Sequence, residues 1–135
     1  MKIDDKTIQA LTASLKFRQL RLELQASNIA NAETPGYKAK KLDFEDALAR
    51  ALDVDGQLAM KASDSQHFNV GGGGFNNLQP EIYEDSNGIV SPDGNNVDRD
   101  QEMAEMAENK HMYDATVQLI NKKLGLLKYA VGSGQ

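Results

Sequence analysis

From Met103 onward the apolar residues fall in alternating steps of three and four: Met103, Met106, Tyr113, Val117, Ile120, Leu124, Leu127 and Val131, with a break only at Lys110. A seam of that period belongs to a long helix that buries one side against another helix. Asp98 stands where an N-cap belongs, with Gln101 three residues on, and Gly132 closes the pattern. The spacing predicts a helix over 98–131, about 50 Å long at about 1.5 Å per residue. A second line, Met112, Leu119 and Leu126, repeats every seven residues well round from the first, so this helix has two apolar faces.

The N-terminal segment, 1–35, answers it. Between about Asp5 and Asn31, Ile8, Leu15, Leu22 and Ile29 lie seven apart with Leu11 beside them, and Ala13, Phe17, Leu20 and Leu24 fall on roughly the opposite side. Here too there are two stripes. The helix must stop before Thr34-Pro35-Gly36-Tyr37, where Pro suits position i+1 and Gly position i+2 of a type II turn.

Residues 36–97 read differently. A short amphipathic helix is predicted after Asp43 as N-cap, with Glu45 and Asp46 in its first turn and Phe44, Leu48 and Leu52 on one side. Beyond Asp53 turn residues take over: Asp55-Gly56, Gly71 to Gly74, Asn76-Asn77, Asn87-Gly88 and Ser91-Pro92-Asp93-Gly94. Glu81-Ile82-Tyr83 and Ile89-Val90 are short enough to form hairpins within this stretch. The fold class is therefore mainly α, within a single domain over 1–135: two long terminal helices paired as an antiparallel coiled-coil-like unit around a loop-rich middle with a short helix and little β-structure.

Composition excludes several functions. The chain has no Cys, so neither a disulfide nor thiol chemistry is available, and a structural zinc site is not expected with only His67 and His111 outside any ligand spacing. Gly71 to Gly74 lacks the Lys-Ser/Thr of a phosphate loop and reads as a flexible linker. Asp93, Asn95, Asp98, Asp100 and Glu102 do not place a Gly and a closing Glu where a calcium loop needs them. Carboxylate pairs such as Glu84-Asp85 have no apolar pocket to raise a pKa, so no enzyme, catalytic residue or cofactor is expected.

Charge is uneven. Residues 1–41 hold eight Lys/Arg against four Asp/Glu, residues 42–109 three against fifteen, and residues 110–135 four against one. Basic ends around an acidic middle can steer unlike parts of neighbouring molecules together, and the acidic middle argues against nucleic acid. No stretch approaches the about 20 apolar residues of a membrane span, and no apolar h-region follows Met1-Lys2-Ile3, so export would proceed without a cleaved signal peptide.

A helix pair that served only itself would need one apolar stripe per helix. Leaving Phe17, Leu20, Leu24, Met112, Leu119 and Leu126 in water would forgo about 1.5 to 3 kcal/mol per side chain, so partner surfaces are expected to cover them. The candidate subunit interface is thus Ile8, Leu11, Leu15, Phe17, Leu20, Leu22, Leu24 and Ile29 at the N-terminal end. At the C-terminal end it comprises Met106, Met112, Tyr113, Val117, Leu119, Ile120, Leu124, Leu126 and Leu127. The Met side chains suit adaptable contacts.

Two stretches carry a resemblance. Ala26-Ser27-Asn28-Ile29-Ala30-Asn31-Ala32-Glu33-Thr34-Pro35-Gly36-Tyr37-Lys38 resembles the N-terminal signature of the flagellar basal-body rod protein family. Asp93-Gly94-Asn95-Asn96-Val97-Asp98, followed by Glu102 to Asn109 and Tyr113, is similar to that family's C-terminal segment. The length and the uninterrupted Thr34-Pro35-Gly36-Tyr37 resemble its short, proximal members; Glu33, where small or polar residues are more usual, is the one departure. The resemblance implies a structural subunit exported unfolded through the flagellar type III apparatus and assembled at the base of the periplasmic rod, its terminal helices paired and lining the inner tube. It also implies partners: FlgC-like and distal rod proteins, the FliE adaptor and the export gate.

Within the turn motif, Asn28 and Asn31 are candidates for capping or inter-helix hydrogen bonds, Thr34, Pro35 and Gly36 for the turn, and Tyr37 for a packed ring with a bonded tip. The alternative reading from another class is a cytosolic helical adaptor or secretion chaperone, which would be a stable dimer on its own.

Overall fold

The computed structural model describes residues 6–53, 75 and 78–133. The sequence readings at Met1–Asp5, Asp55-Gly56, His67, Gly71 to Gly74 and Asn76-Asn77 lie outside them. In order come α1 (Lys6–Ala30), β1 (Lys40–Asp43), α2 (Glu45–Asp53), β2 (Glu81–Glu84) and α3 (Arg99–Ser133). The helices α1 and α3 run antiparallel along each other: Asn31 at the end of α1 meets Asn95 just ahead of α3, and Arg18 half-way along α1 meets Asn109. The mainly helical architecture with paired terminal helices is thus the one the periodicities predict.

The helix ends follow local chemistry. The N–H of Gln101 donates to Asp98 Oδ1 at 3.2 Å, so Asp98 caps α3, while the Gln101 side chain donates to Glu105 rather than completing a capping box. Asp43 does not cap α2. It is the last residue of β1, and Phe44 takes the cap position, its carbonyl accepting the Leu48 N–H at 2.9 Å. The reason is pairing: Asp43 is held extended opposite Glu81, so the chain turns helical one residue later.

The middle segment also pairs differently from expectation. Glu81–Glu84 forms no hairpin with Ile89-Val90; it lies antiparallel to β1 with Lys40 opposite Glu84, Lys41 opposite Tyr83 and Leu42 opposite Ile82. Ile89 and Val90 are in no strand and stand exposed. Strand β1 wins this pairing because its Leu42, with Phe44 just beyond its end, is buried against Phe17 of α1 and fixes its register.

That packing decides one of the two stripes on α1. Phe17, Leu42 and Phe44 form the buried core, with Ala13, Leu20, Leu24, Leu48 and Leu78 against it. The Phe17 and Phe44 rings lie 5.5 Å apart and tilted by 39°. The expectation that Phe17, Leu20 and Leu24 would be left for a partner is therefore corrected: the chain's own middle segment covers them. Apolar area removed from water within one chain needs no second molecule, and these side chains are worth about 1.5 to 3 kcal/mol each when buried.

The seam of α3 is corrected as well. The residues buried on α3 are Glu102, Asn109 and Thr116, seven apart, and Asn109 meets Arg18 and Gln25 on α1. Met106, Tyr113, Val117 and Ile120 flank this line half-buried, whereas Met103, Leu124 and Val131 are exposed. The seam runs one residue away from Lys110, which explains the apparent break there.

Candidate assembly interface

Two turns form one locked unit. The Tyr37 N–H donates to the Thr34 carbonyl, closing the turn predicted at Pro35-Gly36, and Gly36 has φ 73°, the left-handed conformation position i+2 requires. A second turn, Ser91-Pro92-Asp93-Gly94, closes with the Gly94 N–H on the Ser91 carbonyl and Gly94 at φ 86°. The turns interlock. The Gly36 N–H donates to the Asp93 carbonyl at 2.9 Å, and a Cβ on Gly94 would stand 3.4 Å from the Gly36 Cα.

Three asparagines bind the unit to its surroundings. Asn28, buried within α1, donates from Nδ2 to the Lys40 carbonyl at 2.8 Å, while its Oδ1 accepts the Lys40 N–H and the Tyr37 hydroxyl, both at 3.0 Å. Asn95 donates from Nδ2 to the Asn31 and Thr34 carbonyls, each at 2.8 Å, and so ties the end of α1 to the approach of α3. Asn96 accepts the Ala39 N–H and donates to the Asp85 carbonyl. Asn31 bonds more locally, donating to the Ser27 carbonyl and accepting from the Thr34 hydroxyl. Buried amides stay only where their donors and acceptors are matched, and each of these is.

Arginine and lysine complete the junction. Arg21 forks onto both Glu45 carboxylate oxygens at 2.7 and 2.9 Å, donates to the Leu42 carbonyl, and lies 4.6 Å over the Phe44 ring. Burial raises the Glu45 carboxyl, but the Arg21 hydrogen bonds and the Glu45 and Phe44 N–H groups outweigh it and hold the group at about 2. Lys41 spans Glu102 and Glu105; burial lowers its ammonium, and the two carboxylates more than reverse this, so it titrates above its ordinary value. Asn109 donates to the Arg18 carbonyl at 3.0 Å and accepts from the Arg18 side chain, bridging mid-α1 to α3.

Arg21, Lys41, Gln25, Glu102 and Asn109 were not among the sequence candidates. The seven-residue spacing of Glu102, Asn109 and Thr116 was the signal that could have found part of this set, hidden because a seam is normally sought among apolar residues. Of the sequence candidates, Ile8, Leu11, Leu15, Leu22 and Ile29 on α1 are half-buried, as are Met106, Tyr113, Val117, Ile120 and Leu127 on α3. Met112, Leu119 and Leu126 face outward, 44, 54 and 59% exposed, and Leu124 is exposed too.

The chemistry of this surface is contact chemistry. No group of His, Cys, Asp and Glu that could hold a metal occurs among the described residues, and no described helix is long and apolar enough to cross a membrane.

A family model of flagella basal body rod proteins matches residues 8–38, from the first turn of α1 through Lys38. Over 120 residues the chain is 38% identical to the flagellar basal body rod protein FlgB of Cereibacter sphaeroides, covering 87% of this chain and 88% of that one. The chain belongs to the FlgB family of flagellar basal-body rod proteins. FlgB of Bacillus subtilis is 32% identical over 137 residues, the full length of both chains, and FlgB of Escherichia coli is 29% identical over 96% of both. As an FlgB-family protein the chain is a structural component of the bacterial flagellar basal-body rod. The adaptor or chaperone reading has no support among these relatives, and the family-matched segment contains Asn28, Asn31, Thr34 and Tyr37 of the interlocked turns.

Proposed function

We propose that the chain builds the proximal end of the rod as a single rod-subunit domain over 1–135, joining copies of itself and unlike rod subunits by helix packing. The observation that carries this reading is the outward line Met112, Leu119 and Leu126, a repeat of large apolar side chains 44 to 59% exposed along α3. A helix keeps such a line in water only at a loss, and a neighbouring helix covers it at a gain of about 1 kcal/mol per half-exposed side chain. The candidate interface then comprises that line with Leu124 and Leu127, joined by the half-buried flank Ile8, Leu11, Leu15, Leu22 and Ile29, and by Met106, Tyr113, Val117 and Ile120.

The neighbours in this reading are FlgC-like and distal rod proteins, the FliE adaptor and the export gate, met in the periplasm after export through the flagellar type III apparatus. Folding is coupled to assembly, because helices draw most of their stability from packing and α3 has an uncovered face. The turn unit supplies the preformed part, and contact with neighbours completes the helices.

Circular dichroism and sedimentation of the purified chain, alone and mixed with candidate rod subunits, test this. Helicity that rises on forming large complexes supports the reading; a stable helical dimer indifferent to rod subunits overturns it.

A further inference from the structure

The small sheet has one edge closed and one open. The Asp85 N–H donates to the Ala39 carbonyl at 2.8 Å, so in this register Lys41 and Tyr83 turn their backbone groups toward each other, while those of Lys40 and Leu42 on β1 and of Ile82 and Glu84 on β2 point away from the pair. On β1 the outward groups are taken: Asn28 holds both of Lys40's, and Arg21 holds the Leu42 carbonyl. On β2 the outward N–H and C=O groups of Ile82 and Glu84 have no partner among the described residues. Every residue of β2 is exposed, Ile82 and Tyr83 by 50 and 40%. Unpaired backbone groups beside uncovered apolar side chains are a template for another strand unless charge turns that strand away.

The charge here is all of one sign, so it selects among strands rather than blocking them. From Leu78 to Asp98 the chain carries Glu81, Glu84, Asp85, Asp93 and Asp98 and neither lysine nor arginine, and Glu81 and Glu84 stand in no ion pair among the described residues. Strand β1 shows what β2 accepts: Lys40 lies opposite Glu84, and Leu42 opposite Ile82. Neither described strand of a second copy can supply the same thing. Its β2 brings acid to acid, and its β1 is paired on one edge and capped by Asn28 and Arg21 on the other.

We propose that the outer edge of β2 docks an extended, lysine-bearing segment of another protein, which joins the sheet as a third strand. Backbone bonds to Ile82 and Glu84 set the register of that segment, and its lysines pair with Glu81 and Glu84. Ile82 and Tyr83, on opposite faces of the sheet, meet its apolar side chains. This surface is separate from the helix faces on which the assembly reading rests, and the docking does not depend on them.

Amide exchange of the full-length chain mixed with the synthetic peptide Thr-Lys-Val-Val-Lys-Thr, capped at both ends, tests this. In the chain alone Tyr83, whose N–H faces Lys41, should exchange slowly and Ile82 and Glu84 fast. The peptide is expected to slow Ile82 and Glu84 by about fivefold or more, and its twin with Glu in place of both Lys to slow neither. Glu81→Lys, which stands opposite Asp43 and so spares the pairing with β1, should remove the preference for the lysine peptide. Ile82→Pro takes away one outward N–H and no bond to β1, and should abolish the protection at Glu84 while Tyr83 stays protected. Equal protection by both peptides, or none by either, overturns the proposal. Protection of Ile82 and Glu84 that grows with the concentration of the chain alone identifies a second copy as the occupant and overturns it too. The helix faces take no part in this readout, so any of these failures leaves the rod reading as it stands.

Discussion

Asn28 treats Lys40 as a strand would: its amide Nδ2 donates to the Lys40 carbonyl at 2.8 Å and its Oδ1 accepts the Lys40 N–H at 3.0 Å, so one helical side chain satisfies both outward backbone groups at the edge of β1. An edge strand left open invites pairing with other chains, and here a buried amide closes it. The Tyr37 hydroxyl on the same oxygen ties the turn to the pair.

Replacing Asn28 by Asp keeps the shape and sets a carboxylate oxygen against the Lys40 carbonyl. The expected loss is about 2 to 4 kcal/mol, the scale of a buried unpaired acceptor, read in urea unfolding, with faster amide exchange at Lys40. An unchanged midpoint with unchanged exchange at Lys40 sinks this account.

The glycines of the interlocked turns share one constraint. Gly36→Ala meets nothing within 4 Å and Gly94→Ala makes only an ordinary contact with Gly36 at 3.4 Å, so each should lose about 1 kcal/mol for its positive φ. A stabilising effect of either substitution in thermal unfolding would contradict the left-handed turns.

Glu45 resists acid, because the Arg21 hydrogen bonds and the Glu45 and Phe44 N–H groups favour its charged form. Its folded value of about 2 lies below the ordinary 4.5, so its contribution is present above the ordinary value and fades as pH falls through the folded one. Glu45→Gln is expected to flatten the stability profile between these limits while leaving it unchanged in slope near neutrality. Lys41 works from the other side: its value is raised above 10.5, so its contribution holds below that pH and disappears only as pH climbs through the higher folded value.

Outward and inward apolar residues should separate cleanly. Phe44→Ala removes a side chain 1% exposed and is expected to lose about 3 to 5 kcal/mol of stability. Leu119→Glu and Leu126→Glu, on the uncovered line of α3, should shift the unfolding of the free chain by no more than about 0.5 kcal/mol and reduce incorporation into basal bodies. Loss of folding in the free chain would place these residues in an intramolecular core instead.

The polar seam yields a prediction of its own. Asn109→Leu leaves the Arg18 carbonyl and the buried Gln25 side-chain oxygen without this donor, so stability should fall by about 1 to 3 kcal/mol and helix register should loosen. Spin labels on α1 and α3 that keep a single narrow distance distribution in the variant would show that Asn109 does not set the register.

Much of this was legible in the residues, and the failures are physically specific. The seven-residue lines on α1 and α3 and the Pro35-Gly36 turn follow from local rules, since helical period, cap and left-handed φ depend on neighbours a few residues away. The closing of α1's second stripe by Leu42 and Phe44 did not follow, because it requires β1 to find β2 across the long intervening segment. Nor did the burial of Glu102, Asn109 and Thr116, which looks unfavourable until Lys41, Arg18 and Gln25 arrive from other elements to satisfy it. By itself, then, the sequence determined which stretches are helical, where they stop and that some apolar surface is surplus. Only the tertiary structure decided which surplus is spoken for, because a polar group is tolerated or an apolar one exposed according to partners that lie far along the chain.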